Sequence, residues 1–402
     1  MVMNIHTKHQ NEKFGSKFPK SLFLTLLIVL IALMAYFIQR PAVENEQVRA
    51  SLIATNENPP DSTGFKRVTD PNGLTFPDAF GPHSDYQTEW WYYTGNVQTE
   101  EGRPFGFQFT IFRRSLIAQE SQRTSEFATR DIYMAHFTVT DGAAGDFYDN
   151  ERFQRGGGGA AGAQAEPYQV WIDDWAVEER GAGRYEMRAT AEEVAIQFSL
   201  EALKAPALHG NNGLAQKSNE PGNASYYYSQ TRLETTGTVT VKGEEYQVSG
   251  LTWKDHEYGT EALGENAIGW DWFSLQFSDG SELMYYQIRR NDGSIEPASP
   301  GSLILEDSSI QPLNSNQVQI KVLDTWTSPE TGVVYPSGWE LSIPSQEIEL
   351  TIKPLIPNQE LNVSTVYWEG AVTAEGNKGG ESITARGYVE LTGYGEEPVP
   401  EL

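Results

Sequence analysis

Alternation with a period of two constrains the fold of this chain more than any other feature. It is clearest in Phe105-Gly-Phe-Gln-Phe-Thr-Ile111 and in Gly237-Thr-Val-Thr-Val241. Because successive side chains of a β-strand point to opposite faces, such runs predict half-buried antiparallel strands. Asp-Gly turns at residues 141–142, 279–280 and 292–293 separate short strand candidates, a spacing typical of barrels and sandwiches rather than of βαβ units. The sequence therefore predicts an all-β protein.

The first forty residues differ from the rest and predict a membrane signal. Four lysines, Lys8, Lys13, Lys17 and Lys20, precede an uncharged apolar run over residues 21–38. A helix of that length reaches about 27 Å, close to the roughly 30 Å hydrocarbon core of a bilayer. By the positive-inside rule we expect a transmembrane anchor with the tail in the cytoplasm and the body outside, periplasmic or extracellular. The alternative is a cleaved signal peptide and a secreted body, because both signals combine a charged start with an apolar stretch.

Beyond the predicted anchor the chain is strongly acidic and contains no cysteine. Residues 1–40 hold five of the 29 Lys and Arg residues and one of the 55 Asp and Glu residues, which leaves 24 basic and 54 acidic residues and a net charge of −30 for the remainder. Such a surface repels phosphate backbones, so nucleic acid is not an expected partner. The lack of cysteine excludes disulfides, thiolate nucleophiles and Cys-ligated metal sites.

Two aromatic segments with the same layout indicate an internal repeat. Glu89-Trp-Trp-Tyr-Tyr93 leads through a turn to a strand that ends at Arg113-Arg114, and Trp270-Asp-Trp-Phe273 leads through a turn to a strand that ends at Arg289-Arg290. One copy per domain implies two similar barrels that divide near Gly250. The predicted organisation is a tail and anchor (1–40), a linker (41–75), an N-terminal barrel (76–250) and a C-terminal barrel (251–396).

Several familiar kinds of active site are not supported. The chain has no Gly-x-Ser-x-Gly nucleophile turn, and Asp255-His256-Glu257 is not followed by the second histidine of a zinc protease. The glycine run over residues 156–162 matches Gly-x-Gly-x-x-Gly but lacks the flanking strand and helix of a nucleotide site, so we interpret it as a loop. The four histidines outside the tail show no ligand spacing, and no metal site is predicted. They are His83, His136, His209 and His256.

Polar residues embedded in aromatic sequence remain as candidates for chemistry. They fall in residues 83–93, 133–137, 171–175, 225–229 and 253–258. A carboxylic acid among indole and phenol rings would be desolvated, which raises its pKa and makes it a competent proton donor. The alternative for each cluster is a hydrogen-bond network that ties strands together.

Six blocks of this sequence resemble the hallmark blocks of the carotenoid 1,2-hydratase (hydroxyneurosporene synthase), or AttH-type, family. They are residues 89–96, 135–137, 171–175, 224–233, 253–259 and 269–276, in the family's order. The resemblance, which covers residues 76–394, implies two lipocalin-like antiparallel β-barrel halves behind one N-terminal transmembrane helix. For the characterised hydratases it also implies cofactor-independent addition of water to the terminal C1–C2 double bond of an acyclic carotenoid. The aspartate linked to catalysis in the family falls on Asp255, whereas Lys254 stands where members commonly have methionine.

The reaction is chemically consistent with these residues. An acid must protonate C2, and water then captures the tertiary cation at C1. Asp255 is the predicted acid, and His256 or Glu257 would reprotonate it or orient the water. Aromatic ring faces would stabilise the cation. The predicted substrate-binding residues are Glu89, Trp90, Trp91, Tyr93, His136, Tyr227, Trp253, Trp270 and Trp272.

Two other functions are compatible with the sequence. The chain would be a non-enzymatic lipocalin-like carrier of lipid or pigment if the Asp-His-Glu block only joined strands, or a secreted hydrolase of unknown substrate. An apolar isoprenoid or lipid is the expected ligand, and residues 21–38 are the expected contact with the membrane. Whether the side chains of the Asp-His-Glu block point into a cavity distinguishes the enzyme hypothesis from the carrier hypothesis. On a strand, Asp255 and Glu257 share one face while His256 lies on the other.

Overall fold

A computed structural model describes residues 62–119, 124–125, 127–260, 263–264 and 266–395. The tail, the anchor expected over residues 21–38 and most of the expected linker lie outside these residues. Within the part that the structure describes, no helix is long and apolar enough to cross a membrane. Two short 3-10 helices are present in it, η1 (Asp78–Phe80) and η2 (Pro344–Gln346).

The first sheet contains thirteen antiparallel strands. They are β1 (Thr88–Gln98), β2 (Pro104–Ser115), β3 (Asp131–Asp141), β4 (Asp146–Arg155), β5 (Ala161–Gln164), β6 (Gln169–Ile172), β7 (Trp175–Gly181), β8 (Arg184–Thr190), β9 (Val194–Ala202), β10 (Ala207–Leu208), β11 (Leu214–Gln216), β12 (Ala224–Val241) and β13 (Glu244–Gly259). Their order is β4-β3-β2-β1-β13-β12-β9-β8-β7-β6-β5, with β10 and β11 paired to β12. The sheet forms a nearly closed barrel.

Alternating side chains fill this barrel. Trp91 and Tyr93 of β1 and Phe107 and Phe109 of β2 are fully buried in one apolar cluster with Trp175 of β7. The intervening residues of the same strands point to the outer face, as the period-two pattern predicts. The outer face of β1, β12 and β13 is also buried, because the second half of the chain packs against it.

The second sheet contains ten strands. They are β14 (Ala267–Phe277), β15 (Glu282–Arg290), β16 (Pro300–Ile304), β17 (Ile310–Asn314), β18 (Gln319–Val322), β21 (Trp339–Ile343), β22 (Ile348–Pro354), β23 (Glu360–Asn362), β24 (Val366–Lys378) and β25 (Glu381–Leu391). Their order is β17-β16-β15-β14-β25-β24-β22-β21-β18, and β23 pairs with β24. A separate hairpin comprises β19 (Thr325–Thr327) and β20 (Val334–Pro336).

The second sheet is a half-barrel, which corrects the expectation of two barrels of the same kind. Its edge strands β17 and β18 do not pair with each other, and most of their residues are at least partly exposed. Tyr335 of the β19–β20 hairpin is buried in the core of this half, and Trp326 packs against that core. The hairpin therefore covers apolar surface that a closed barrel would cover with further strands.

The repeat seen in the sequence is also a repeat of strand order. Around the first aromatic hairpin the order is β3-β2-β1-β13-β12, and around the second it is β16-β15-β14-β25-β24. In each case the first strand of the hairpin pairs on its other side with the last strand of the same sheet. Strand β13 continues through Gly250 and ends at Gly259, so the chain changes sheets between Gly259 and Ala267.

Candidate functional site

A narrow cleft lies where the outer face of the first sheet meets the second sheet. Its volume is about 70 Å³. Aromatic side chains and four ionisable groups line it. The lining residues are Trp90, Tyr92, Phe112, Lys217, Tyr227, Asp255, Glu257, Leu263, Trp270, Trp272, Tyr286, Ile288, Tyr367 and Glu390.

Asp255 is the most thoroughly supported carboxyl group in the cleft. Its Oδ2 accepts a hydrogen bond of 2.6 Å from the hydroxyl of Tyr227, and its Oδ1 accepts one of 2.6 Å from Nε1 of Trp253 and another from the Ser229 hydroxyl. The Tyr227 hydroxyl in turn accepts a bond of 3.0 Å from Nε1 of Trp272. Burial raises the pKa of Asp255 to about 7, although these donors act in the opposite direction. The group is therefore a positioned acid that is partly protonated near neutrality.

Glu257, two residues along the same strand, has different surroundings. Nζ of Lys217 lies 2.7 Å from its Oε1, and the Ser225 hydroxyl also donates to that oxygen. Burial acts to lower the pKa of Lys217, but Glu257 and, to a smaller extent, Tyr286 together outweigh burial and raise that pKa. The ammonium also lies 4.3 Å from the ring centre of Tyr286. Glu257 is thus one half of a buried ion pair.

The second sheet contributes a carboxyl group at the position equivalent to Asp255. Tyr92 faces Asp255 in the pairing of β1 with β13, and Trp272, the repeat equivalent of Tyr92, faces Glu390 in the pairing of β14 with β25. Glu390 is half-buried in the wall of the cleft, where its Oε2 accepts a bond of 3.2 Å from Nε1 of Trp270. Burial raises the pKa of Glu390 to about 7. The two halves therefore supply two carboxyl groups of similar acidity to one cleft.

A further carboxyl group lies behind this wall. The hydroxyl of Tyr92 donates a bond of 2.5 Å to Oε1 of Glu369, which is fully buried on β24. Burial raises the pKa of Glu369 well above its usual range. A neutral Glu369 keeps the negative charge around Asp255 and Glu390 low.

A separate network occupies the other face of β13, inside the first barrel. His256 Nε2 lies 2.8 Å and His83 Nδ1 lies 2.9 Å from Oε1 of Glu89, while Arg113 donates a bond of 3.0 Å to Oε2. Burial acts to raise the pKa of Glu89, but the charge of Arg113 and the imidazole hydrogen bonds hold it well below its usual range. Burial lowers the pKa of His256 to about 4. Although the two imidazoles and the carboxylate meet closely enough for a metal ion, they already satisfy one another, and Arg113 opposes a further cation.

A larger groove of about 660 Å³ lies further along the same seam and has different chemistry. Its cationic groups already have partners. Arg232 donates to Glu282 over 2.5 Å, and Arg386 donates to Gln98 over 2.7 Å. We therefore place the candidate site in the smaller cleft.

The structure brings together half of the residues predicted from the sequence. The predicted residues that line the cleft are Trp90, Tyr227, Asp255, Glu257, Trp270 and Trp272. Trp253 is not a lining residue, but its Nε1 donates to Asp255. His136 is buried outside the cleft, with its Nδ1 2.8 Å from the hydroxyl of Tyr367, a lining residue. Glu89, Trp91, Tyr93 and His256 face the interior of the first barrel, because they alternate along β1 and β13 with the residues of the cleft.

Apart from Trp270 and Trp272, the cleft residues that come from the second half of the chain were not predicted from the sequence. Glu390, Glu369 and Tyr286 lie in strands without a conspicuous polar motif. Lys217 lies just beyond the end of β11, in the loop before the block over residues 224–233 and outside every predicted cluster. The signal that leads to Glu390 is the internal repeat, but it works only when the register of β25 against β14 is known.

Residues 67–394 match the family model described as AttH-like. No curated protein matches the chain significantly. Among solved structures, an AttH protein from Nitrosomonas europaea is 35% identical with a TM-score of 0.73, over 82% of this chain and 100% of that one. Kievitone hydratase from Nectria haematococca is 14% identical with a TM-score of 0.62, over 82% of this chain and 96% of that one. The second similarity shows a shared fold.

Proposed function

Because this chain belongs to the AttH-like family and shares its fold with a hydratase, we propose that it is a cofactor-independent hydratase of an apolar alkene. The proposed reaction adds water to the terminal C1–C2 double bond of an acyclic carotenoid or another isoprenoid. The observation that carries this proposal is Asp255, a carboxylic acid with a raised pKa at the wall of an aromatic cleft.

The first step is proton transfer from Asp255 to C2 of the alkene. The π electrons form the new C–H bond, and C1 becomes a tertiary cation. Hydrogen bonds from Tyr227, Ser229 and Trp253 support the carboxylate that forms. General acid catalysis of this kind typically contributes about 10²–10⁴-fold to a rate.

The second step is capture of the cation by water. A lone pair of the water oxygen forms the C1–O bond, and the oxygen then loses a proton to a base. Glu390 is suited to this role, because its pKa is near 7 and it opens to the cleft from the opposite sheet. Proton transfer from Glu390 back to Asp255 restores both groups. Glu257 is the weaker candidate, because Lys217 already neutralises it.

Aromatic rings stabilise the cation between these steps. Trp90, Trp270 and Trp272 line the cleft together with Tyr92 and Tyr286. A ring face near a desolvated cation contributes about 2 kcal/mol or more. The structure holds Trp272 edge-on to Tyr92, with ring centres 5.3 Å apart, so the electron-rich faces of the two rings have different orientations.

The small volume of the cleft favours a hydratase over a carrier. Sites that enclose a drug-sized ligand usually measure about 300–1,000 Å³, whereas this cleft measures about 70 Å³. It suits the reacting end of a long polyene, with the remainder outside the cleft. In the proposed arrangement the anchor over residues 21–38 keeps the exported body near the lipid in which such substrates dissolve.

The proposal is tested by incubating the full chain in detergent with lycopene and other acyclic polyenes in ¹⁸O-labelled water. We expect a tertiary alcohol that carries one labelled oxygen, at a rate well above that of heat-denatured protein. Unchanged substrate in every case would overturn the proposal and favour a carrier.

A further inference from the structure

Three lysines of the described residues have almost no exposed side chain, and one of them lacks a partner. Nζ of Lys204 lies 2.8 Å from Glu282, and Nζ of Lys217 lies 2.7 Å from Glu257. Lys254 is fully buried, and its Nζ has no hydrogen-bond partner within the described part of the chain. Burying a charged amine without a partner is costly, so the neutral amine is more favoured here than in an exposed lysine.

Aromatic rings surround this amine inside the first barrel. Nζ lies 4.3 Å from the ring centre of Tyr168 and 5.5–6.0 Å from four others. The four other rings belong to Phe80, Tyr93, Tyr185 and Tyr228. We call these five rings and the amine the lysine cage.

The hydroxyl groups of the lysine cage are engaged with other partners. Those of Tyr93 and Tyr168 are 2.7 Å apart, and that of Tyr185 accepts a bond of 3.2 Å from Gln230. The Tyr228 hydroxyl lies 2.9 Å from Nδ1 of His256. None of these contacts gives the amine a counter-charge.

Few charged groups act on Lys254. Burial lowers its pKa to about 7, and the carboxylate of Glu179 on β7 opposes this only in part. His256 on the same strand interacts with Lys254, and its own pKa is lowered to about 4 by burial. A large fraction of Lys254 is therefore a free amine at neutral pH, the form of lysine that attacks carbonyl carbons.

At η1, the partly exposed ring of Phe80 lies between the amine of the lysine cage and solvent. Phe80 of η1, 5.5 Å from Nζ, is partly exposed, and Phe76 beside it has 39% of its surface exposed. The rings of Phe76 and Phe80 are 4.8 Å apart, and both contact Tyr228. Rotation of the Phe80 side chain would open a route to the amine.

We propose that Lys254 is a covalent attachment site for an apolar aldehyde or ketone, which it binds as an imine inside the first barrel. The amine nitrogen attacks the carbonyl carbon, a C=N bond forms, and the carbonyl oxygen leaves as water with the two amine protons. Hydrolysis reverses the step, and no oxidant or reductant is needed. The rings of the lysine cage suit an apolar carbonyl compound, and their faces stabilise the iminium form.

This site is independent of the proposed hydration. Lys254 and Asp255 are neighbours on β13, so their side chains lie on opposite faces of the sheet. Asp255 lines the cleft between the sheets, whereas Lys254 contacts the interior of the first barrel. A ligand on Lys254 would therefore lie on the opposite face of the sheet from the alkene.

The test is reductive trapping with hexanal and cyanoborohydride on the full chain, followed by peptide mass spectrometry. An ordinary exposed lysine has a pKa near 10.4, so only about one amine in 2,500 is neutral at pH 7. We expect Lys254 to be modified at least tenfold faster at pH 7 than the exposed Lys321 and Lys353. Its rate should level off above about pH 7, whereas the rates of exposed lysines keep rising.

Three variants test whether the adduct forms on Lys254. Lys254→Met should lose it and keep its fold, Phe80→Ala should form it several-fold faster, and Asp255→Asn should form it at the wild-type rate. Folding of each variant is checked by its melting temperature. A wild-type protein whose exposed lysines react while Lys254 does not would overturn the proposal, whatever the variants do.

Discussion

Single carboxyl groups of the cleft are similarly buried but have different partners, and the partners set their chemical roles. Asp255 has three neutral donors and a pKa near 7, whereas Glu257 has a lysine beside it. An acid catalyst must hold its proton at the working pH. Hydration by this protein should therefore decline as the pH rises through about 7, which a pH–rate profile measures.

Tyr227→Phe should move the decline in hydration rate to higher pH. The Tyr227 hydroxyl stabilises the ionised form of Asp255, so its loss raises the pKa of Asp255 further. Tyr228→Phe is the matched control, since Tyr228 is the next residue on β12 and contacts His256 inside the barrel instead. A profile that stays in place, or moves to lower pH, for Tyr227→Phe would show that Asp255 is not the group that titrates.

Lys254→Met should increase the free energy of unfolding. Because burial depresses the pKa of Lys254, the unfolded chain binds more protons than the folded one between about pH 7 and pH 10, and wild-type stability rises across that window. The gain from methionine should be on the order of 4 kcal/mol at pH 7 and below, and should shrink towards pH 10.

Urea denaturation of both proteins between pH 6 and pH 10 measures this difference. Lys353→Met, at an exposed position, is the control and should change stability by no more than about 0.5 kcal/mol. A destabilised Lys254→Met protein at pH 7 would mean that the ammonium has a partner that offsets its burial.

At the scale of strands and hairpins, pairing brings together charged residues that are distant in sequence. Arg113 at the end of β2 donates to Glu89 of β1, to Asp131 of β3 and to the backbone oxygens of His83 and Tyr86. Arg289 at the equivalent end of β15 donates to Asp271 and Thr392, but 17% of its side chain is exposed against 1% for Arg113. The first hairpin thus contains the more deeply buried ion pair.

Arg113→Met should destabilise the protein by about 3–5 kcal/mol, because it leaves Glu89 charged and buried without its cation. The depressed pKa of Glu89 gives the wild type stability that is present above about pH 4.3 and is lost as the pH falls further. The stability of Arg113→Met should not fall in this way at low pH, and thermal unfolding between pH 3 and pH 7 measures it. Arg289→Met should destabilise the protein less than Arg113→Met does. Equal destabilisation by the two substitutions would contradict the difference in burial.

Much of the strand and hairpin structure described above was predictable from the sequence. Period-two runs and Asp-Gly turns predict the all-β architecture, and the aromatic repeat predicts both hairpins, since these are local signals. The open second half was not predictable, because it depends on edge strands too short to leave a pattern. Glu390 was missed because its place in the cleft depends on the pairing of β14 with β25, strands about 110 residues apart in sequence.

At the scale of the whole molecule, the cleft is a product of the packing of two unequal halves. Tyr92 and Trp253 of the first sheet share one buried cluster with Trp272 and Tyr388 of the second. Neither sheet alone encloses Asp255, so its raised pKa depends on both. We expect residues 76–250 alone to lack activity even if they fold, because they contain neither Asp255 nor Glu390.

In the proposed reaction, Asp255 delivers the proton that starts hydration. The most direct test compares the rate at which the wild type, Asp255→Asn and the exposed control Asp173→Asn convert lycopene to its hydrate, with the proteins matched in melting temperature. Asp255→Asn should lower the rate of conversion by about 10²–10⁴-fold, and the control should not change it. Equal conversion by Asp255→Asn and the wild type would contradict this role of Asp255.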